Sequence, residues 1–191
     1  MTFFRSQALL FSIALALLAP AVHAGPATQL VLTVPGSATA GAPISIILEA
    51  KDSSGLPDPT YTGTVTFTTN DQLGSVPNPY TFTGADAGVK TFASGVTFRT
   101  AGPHTLTAFS NAIPPLTVTS STITVTGGAA ASLTVNAPST ASNGLAFDVT
   151  VTAKDVYGNT SPGYAGTVQL TSTDGAATLP TATALNGGSK V

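Results

Sequence analysis

The chain has no cysteine and no tryptophan, and only 14 of its 191 residues are charged. Without cysteine there are no disulfides, thiolate metal ligands or thiol nucleophiles. Six Lys plus Arg against eight Asp plus Glu give a net charge of −2, which excludes the cationic surface that nucleic-acid binding needs. Any chemistry must therefore use hydroxyls, a few carboxylates and two histidines.

Residues 1–24 have the pattern of a secretory signal peptide. Arg5 precedes an apolar run over 8–18, and Ala24 stands at the −1 position of a cleavage site before Gly25. The alternative is a membrane anchor, but the run is shorter than the roughly 20 residues that a span needs. We expect export to the extracellular space or the cell surface, with the periplasm as a further possibility. The only membrane contact expected is that of the signal peptide, which is cleaved from the mature protein.

The rest of the chain contains a repeat with a spacing of 103 residues. Ala50-Lys51-Asp52 recurs at 153–155, and Tyr61-Thr62-Gly63-Thr64-Val65 recurs in part at 164–168. Superposing 28–88 on 131–191 without gaps gives 17 identities in 61 positions. These identities fall mostly on Gly, Pro, Asp, Tyr and Lys rather than on the abundant Thr, which indicates a duplication.

Each copy alternates apolar and polar residues with the period of a half-buried strand. The residues predicted to face inward are Ile44, Ile46, Leu48 and Ala50 in the first copy and Phe147, Val149, Val151 and Ala153 in the second. Further strands are predicted over 29–34, 62–69, 80–83, 89–92, 95–99, 104–109 and 116–125. The alternation shifts within the last of these, which predicts a kink or bulge near Ser120-Ser121. About seven short strands in roughly 100 residues predict an antiparallel β-sandwich.

Several motifs resemble a known family. Ser37-Ala38-Thr39-Ala40-Gly41, the Ala-Lys-Asp and Tyr-Thr-Gly-Thr-Val segments, the stretch 80–92 and Ala153-Lys154-Asp155-Val156-Tyr157-Gly158-Asn159 are similar to bacterial immunoglobulin-like repeats. The resemblance covers about 27–191 and implies tandem filamin-type sandwiches of the kind found in invasin- and intimin-like surface proteins. We expect one repeat over 27–128 and a second over 129–191. The second is expected to lack the strands that correspond to 92–126, as in the amino-terminal part of a longer repeat protein; the alternative is a repeat that exists as a half domain.

Three carboxylates are candidates for calcium ligands. Asp52 and Asp155 end the second strand of each copy, and Asp58 follows in the first. Calcium takes six or more oxygen ligands, yet the second copy has Ser161 where the first has Asp58. The simpler interpretation is a turn in which the carboxylate accepts backbone N–H groups. Asp71 is expected at the opposite end of the sandwich.

Other polar and aromatic residues favour structural roles. Lys51 and Lys154 are expected to be solvated positions that protect a sheet edge.

The aromatic residues are expected to have packing roles. Tyr61 and Tyr164 are expected to pack at the core edge rather than to stack on sugars, and Phe82, Phe92, Phe98 and Phe109 are expected in the core. His104, the only histidine outside the predicted signal peptide, is expected to be structural, because a zinc site would need further ligands. Asn159-Thr160-Ser161 matches a glycosylation sequon, which we interpret as coincidence.

These observations predict a non-catalytic structural or adhesive module of an exported bacterial surface protein, without a cofactor. No Gly-x-Ser-x-Gly elbow and no acid pair spaced for general acid–base catalysis is present, so no enzyme is predicted. Expected partners are neighbouring repeats and an unknown surface protein or glycan ligand. The alternative is a polysaccharide-binding accessory module of a secreted enzyme, which would need a row of exposed aromatic rings.

Overall fold

The computed structural model describes residues 25–191 as an all-β chain. The predicted signal peptide, residues 1–24, lies outside the described residues. Within 25–191, no helix has the length and apolar character that crossing a membrane would require.

The first repeat is built from short strands and one 3-10 turn. The elements are β1 (Gln29–Thr33), β2 (Ser37–Thr39), β3 (Pro43–Lys51), β4 (Thr64–Thr69), β5 (Tyr80–Thr81), η1 (Gly84–Asp86), β6 (Val89–Thr97), β7 (Gly102–His104), β8 (Leu106–Ser110), β9 (Thr117–Thr119) and β10 (Ile123–Thr126). One sheet has the order β1-β3-β6 and another the order β5-β4-β8-β9, all antiparallel. In a third sheet β10 pairs with β7 and, in parallel, with β2.

The two larger sheets of the first repeat share one hydrophobic core. Leu30, Ile46, Leu48 and Val96 come from β1-β3-β6, and Val65, Phe67, Leu106 and Ala108 come from β4 and β8. The inward alternation predicted for β3 is confirmed, since Ile46 is 1% exposed and Ile47 is 36% exposed. Phe82 and Phe98 are buried and Phe92 is partly buried, as expected, whereas Phe109 is 41% exposed. The prediction for Phe109 is wrong because Leu106, Ala108 and Ser110 take the inward positions of β8.

The kink predicted at Ser120-Ser121 is confirmed and divides the predicted strand 116–125 into β9 and β10. The Ser120 Oγ accepts from the Leu106 N–H at 3.0 Å and donates to the Ser121 carbonyl at 2.7 Å. This bend moves the chain from the sheet of β8 to the sheet of β7.

The second repeat contains β11 (Ser132–Asn136), β12 (Thr150–Lys154), β13 (Thr167–Val168), β14 (Thr183–Ala184) and β15 (Ser189–Lys190). The sheets have the orders β11-β12-β15 and β13-β14. β11 and β14 lie 103 residues after β1 and β5, so the duplication extends to strand positions.

The gap-free superposition is wrong beyond Leu185. Lys190 pairs with Val151 as Lys90 pairs with Leu48, and the Gly188 carbonyl accepts from Ala153 N as the Gly88 carbonyl accepts from Ala50 N. Lys190 and Gly188 thus lie 100 residues after their counterparts Lys90 and Gly88, whereas their partners Val151 and Ala153 lie 103 residues after Leu48 and Ala50. The second repeat is therefore three residues shorter at the position of η1.

The second repeat has a much smaller core than the first. Only Val151, Ala153 and Leu185 are buried in its hydrophobic cluster. β12 begins at Thr150, and Phe147 is 52% exposed, so its predicted inward position is wrong. In the first repeat Ile44, the counterpart of Phe147, pairs with Val96 of β6. In the second repeat β15 takes the place of β6, but it is short and pairs only with Val151 and Thr152. Phe147 therefore has no neighbouring strand to cover it within residues 25–191.

Candidate functional site at the junction between the repeats

Asp52 fastens the segment that precedes β1 to the loop that follows β3. Its Oδ2 accepts from the Gly25 N–H at 2.8 Å, and its Oδ1 accepts from the N–H groups of Ser54 and Leu56 at 2.8 and 2.9 Å. Asp58 lies beside it, with Oδ2 accepting from Ala27 N and Oδ1 from Thr60 N, each at 2.8 Å. Both carboxylates thus bind N–H groups, which is the geometry of the turn interpretation.

Asp155 repeats the Asp52 arrangement in the second repeat, 103 residues later. Its Oδ2 accepts from the Gly128 N–H at 2.9 Å, and its Oδ1 accepts from Tyr157 N and Asn159 N, both at 2.9 Å. Gly128 is the counterpart of Gly25 at the same spacing. Each repeat therefore uses the aspartate at this position to hold the chain that enters it, and the first repeat adds Asp58 through Ala27 N.

The candidate calcium residues lie at two separate positions, as their sequence spacing implies. Asp52 and Asp58 lie close together in the first repeat, whereas Asp155 in the second repeat has Ser161 where the first has Asp58. Across residues 25–191, no group of three His, Cys, Asp or Glu side chains is placed to hold a metal ion. The donors around these carboxylates are N–H groups, which complement a carboxylate's charge rather than that of a cation.

Hydrogen bonding lowers the pKa of the buried carboxyls in the folded protein. For Asp52 the Gly25 N–H is the largest cause. For Asp58 and Asp155 burial raises the pKa, but the bonds from Thr60 to Asp58 and from Asn159 and Gly128 to Asp155 outweigh it. Beside η1, the backbone of Thr83 together with Tyr80 and Lys90 lowers the pKa of the half-buried Asp86 to about 2.

We expect the protein to lose stability in acid. A carboxyl with a folded pKa below its unfolded value of about 3.9 stabilises the fold above that value, and the stabilisation is lost as pH falls through the folded pKa. The melting temperature should therefore be level near neutral pH and fall between about pH 4 and pH 2, as followed by circular dichroism. The acid profile should be unchanged in Asp148→Asn, which alters an exposed carboxyl. A flat profile down to pH 2 would contradict the assignment.

The linker between the repeats is packed rather than open. A Cβ on Gly127 would lie 2.0 Å from the Thr160 carbonyl oxygen of the second repeat, and one on Gly128 would lie 3.0 Å from the Ala40 carbonyl oxygen of the first. The Ser161 hydroxyl donates to the Gly128 carbonyl at 2.6 Å. Glycine at 127 thus permits the two repeats to approach closely.

Asn159 joins the two repeats directly. Its Oδ1 accepts from the Ala101 N–H at 2.8 Å, and its Nδ2 donates to the Arg99 carbonyl at 2.8 Å. The Nδ2 also donates to Asp155 Oδ2 at 2.8 Å. The amide of the sequon asparagine is therefore engaged in the junction.

Two further residues complete the junction. The Tyr157 ring lies against Gly41, where a Cβ would meet its Cε2 at 2.7 Å, and 5.9 Å from the Arg99 guanidinium. On the first repeat, Asp71 Oδ2 accepts from Arg99 N at 2.6 Å and Thr100 N at 3.0 Å. Asp71 thereby holds the turn that Asn159 contacts, at the opposite end of the repeat from Asp52, as predicted.

The remaining singled-out residues have structural surroundings. Tyr61 is buried, contacts Phe82 edge to face and shares a hydrogen bond with Ser110 Oγ, while Tyr164 packs on the second core, which confirms the packing prediction. His104 stacks on Phe98, with Nε2 2.8 Å from the Thr100 carbonyl oxygen.

Neither lysine protects a sheet edge, so that prediction is wrong. Lys51 is in β3 and Lys154 in β12, and each of these strands lies between two others. Lys51 Nζ is 3.2 Å from Glu49 Oε2, and Lys154 Nζ donates to Thr160 Oγ1 at 3.3 Å.

Two comparisons of the sequence with known proteins identified no relative. No protein-family model matches the chain. A search of curated proteins gave no significant match.

The sequence analysis did not predict the contacts of Tyr157 and Asn159 at the junction. A difference between the two copies could have indicated them. The copies share Asp at 52 and 155 and Gly at 55 and 158, but the residues on either side of this glycine differ.

Proposed function

We propose that this chain is a non-catalytic structural part of an exported bacterial surface protein, made of tandem immunoglobulin-like sandwiches that act as a stalk or adhesin segment. The observation that carries the proposal is the clamped junction, in which Asp155, Asn159 and Ser161 bind the linker and the preceding repeat. Such contacts suit a module that must keep a fixed orientation to its neighbour.

The mechanical role follows from the strand geometry. The nine residues of β3 give a module about 30 Å long at about 3.4 Å per residue. Inter-domain interfaces within a chain normally permit relative motion unless they are extensive. A linker that packs on both repeats restricts that motion, so successive modules would extend a distal ligand-binding segment away from the surface.

The polysaccharide-binding alternative receives no support from the aromatic residues. The rings of residues 25–191 with the greatest exposure belong to Phe109, Phe147 and Tyr157. They lie in β8, before β12 and at the junction, rather than along one strand or loop. A glycan partner would therefore have to bind by other means.

Export can be tested by expressing the full chain in a bacterium. We expect the protein outside the cytoplasm with Gly25 as its first residue, as determined by fractionation and amino-terminal sequencing. The control is Ala24→Asp, which places a charge at the −1 position and should block processing. A wild-type chain that stays in the cytoplasm and begins at Met1 would overturn the proposed location.

A further inference from the structure

The loop after β12 and the loop after β3 share one backbone arrangement but differ in their side chains. In both, an aspartate Oδ1 accepts from the N–H groups two and four residues later. Both loops also place glycine at a positive φ, 81° at Gly55 and 85° at Gly158. The residues that flank this glycine are Ser54 and Leu56 in the first repeat but Tyr157 and Asn159 in the second.

Only the second set of side chains has the groups that contact a preceding repeat. Asn159 supplies one acceptor and one donor, which match the Ala101 N–H and the Arg99 carbonyl. Tyr157 supplies a ring that covers Gly41. Leucine at the asparagine position has no hydrogen-bonding group, and serine at the tyrosine position has no ring. Leu56 is instead 37% exposed.

The contacted surface consists mainly of backbone. We call Gly41 together with residues 99–101 the acceptor end of a repeat. Asp71 fixes its turn through Arg99 N and Thr100 N, and Gly41 has a φ of 83°. Its partner must therefore present a side-chain amide and an aromatic ring at two positions of one tight loop.

We propose that residues 156–159 form a docking loop whose side chains specify attachment to the acceptor end of a preceding repeat, and that a repeat with Ser-Gly-Leu in this loop does not attach in this way. The partner is a second repeat of the same kind. This inference rests on the proposed stalk function and adds to it that the order of repeats is encoded in two side chains of one loop.

The test measures the distance between spin labels in the two repeats by pulsed electron paramagnetic resonance. Because the chain has no cysteine, Thr91→Cys in the first repeat and Asn136→Cys in the second, both at exposed strand positions, would be the only labelled sites in residues 25–191. We expect one narrow distance distribution in this background. The combined exchange Tyr157→Ser and Asn159→Leu should broaden it about twofold or more, since an interface without these contacts returns to ordinary inter-domain motion.

Two controls separate docking from folding. The reverse exchange, Ser54→Tyr with Leu56→Asn, alters two exposed residues in the loop after β3 and should leave the distribution narrow. Gly41→Ala and Gly144→Ala each place alanine at a positive φ, 83° and 75°. Only at Gly41 would the new Cβ meet Tyr157, whereas nothing lies within 4 Å at Gly144. Broadening in Gly41→Ala but not in Gly144→Ala therefore supports docking by Tyr157.

The outcomes distinguish this inference from the function on which it rests. A broad distribution before any change in the loop would overturn both the rigid stalk and the docking loop. A narrow distribution that persists in the Tyr157→Ser, Asn159→Leu chain would overturn the docking loop alone and leave the stalk with the linker contacts as its basis.

Discussion

Ile46→Ala is expected to lower the free energy of unfolding of the first repeat by about 2–5 kcal/mol. Ile46 is 1% exposed in β3 and belongs to the core shared by the two larger sheets. Truncation removes buried methyl and methylene groups and leaves a cavity, because the closely packed surroundings relax only partially. The change should appear as a lower midpoint in urea, measured by circular dichroism.

Ile47→Thr is the matched control for this prediction. Ile47 is the next residue of the same strand but is 36% exposed, and threonine keeps the β-branched shape that strands favour. We expect a change within about 0.5 kcal/mol. If Ile47→Thr were the more damaging of the two, the assigned inward face of β3 would be incorrect.

The strands of the first repeat were predicted well, because the buried face of a strand and the bend between two strands each leave a local pattern in the sequence. Alternation along 44–51 identified the buried face, and the change of alternation around Ser120 identified the bend between β9 and β10. The error at Phe109 went against the alternation of β8 itself, whereas the error at Lys51 arose where position in the sheet matters. Alternation does not say whether a strand is central or at an edge, so Lys51 was assigned to an edge although β3 has neighbours on both sides.

The candidate site was predicted only in part, for a similar reason. Asp52 and Asp155 stand out because they recur at a fixed spacing, and their turn role follows from N–H groups two and four residues away. Their other contacts, to Gly25 and Gly128, join residues 27 apart in the chain. The bonds from Asn159 to Arg99 and Ala101 span about 60 residues. Such contacts depend on how two folded repeats meet, which no local pattern records.

Limited proteolysis is expected to degrade the second repeat and to leave the first repeat intact. The core of the first repeat contains 17 buried side chains, including Phe67, Phe82 and Phe98, whereas that of the second contains three. Local opening costs least where few apolar contacts are broken, and cleavage follows the population of the open state. Thermolysin, which cuts beside apolar residues, should therefore cleave first near the exposed Leu133, Val135 and Leu145.

The expected end product is a resistant fragment that ends near Gly128, identified by mass spectrometry. Its resistance would derive from the closed core of the first repeat, in which β10 pairs on both sides with β2 and β7. Adding Ile46→Ala supplies the control, because it weakens that core and should make the same fragment transient while the initial cuts near Leu133 keep their rate. Equal resistance of both repeats would contradict the difference in packing, and it would mean that docking through Asn159 and Asp155 stabilises the second repeat as effectively as a full core stabilises the first.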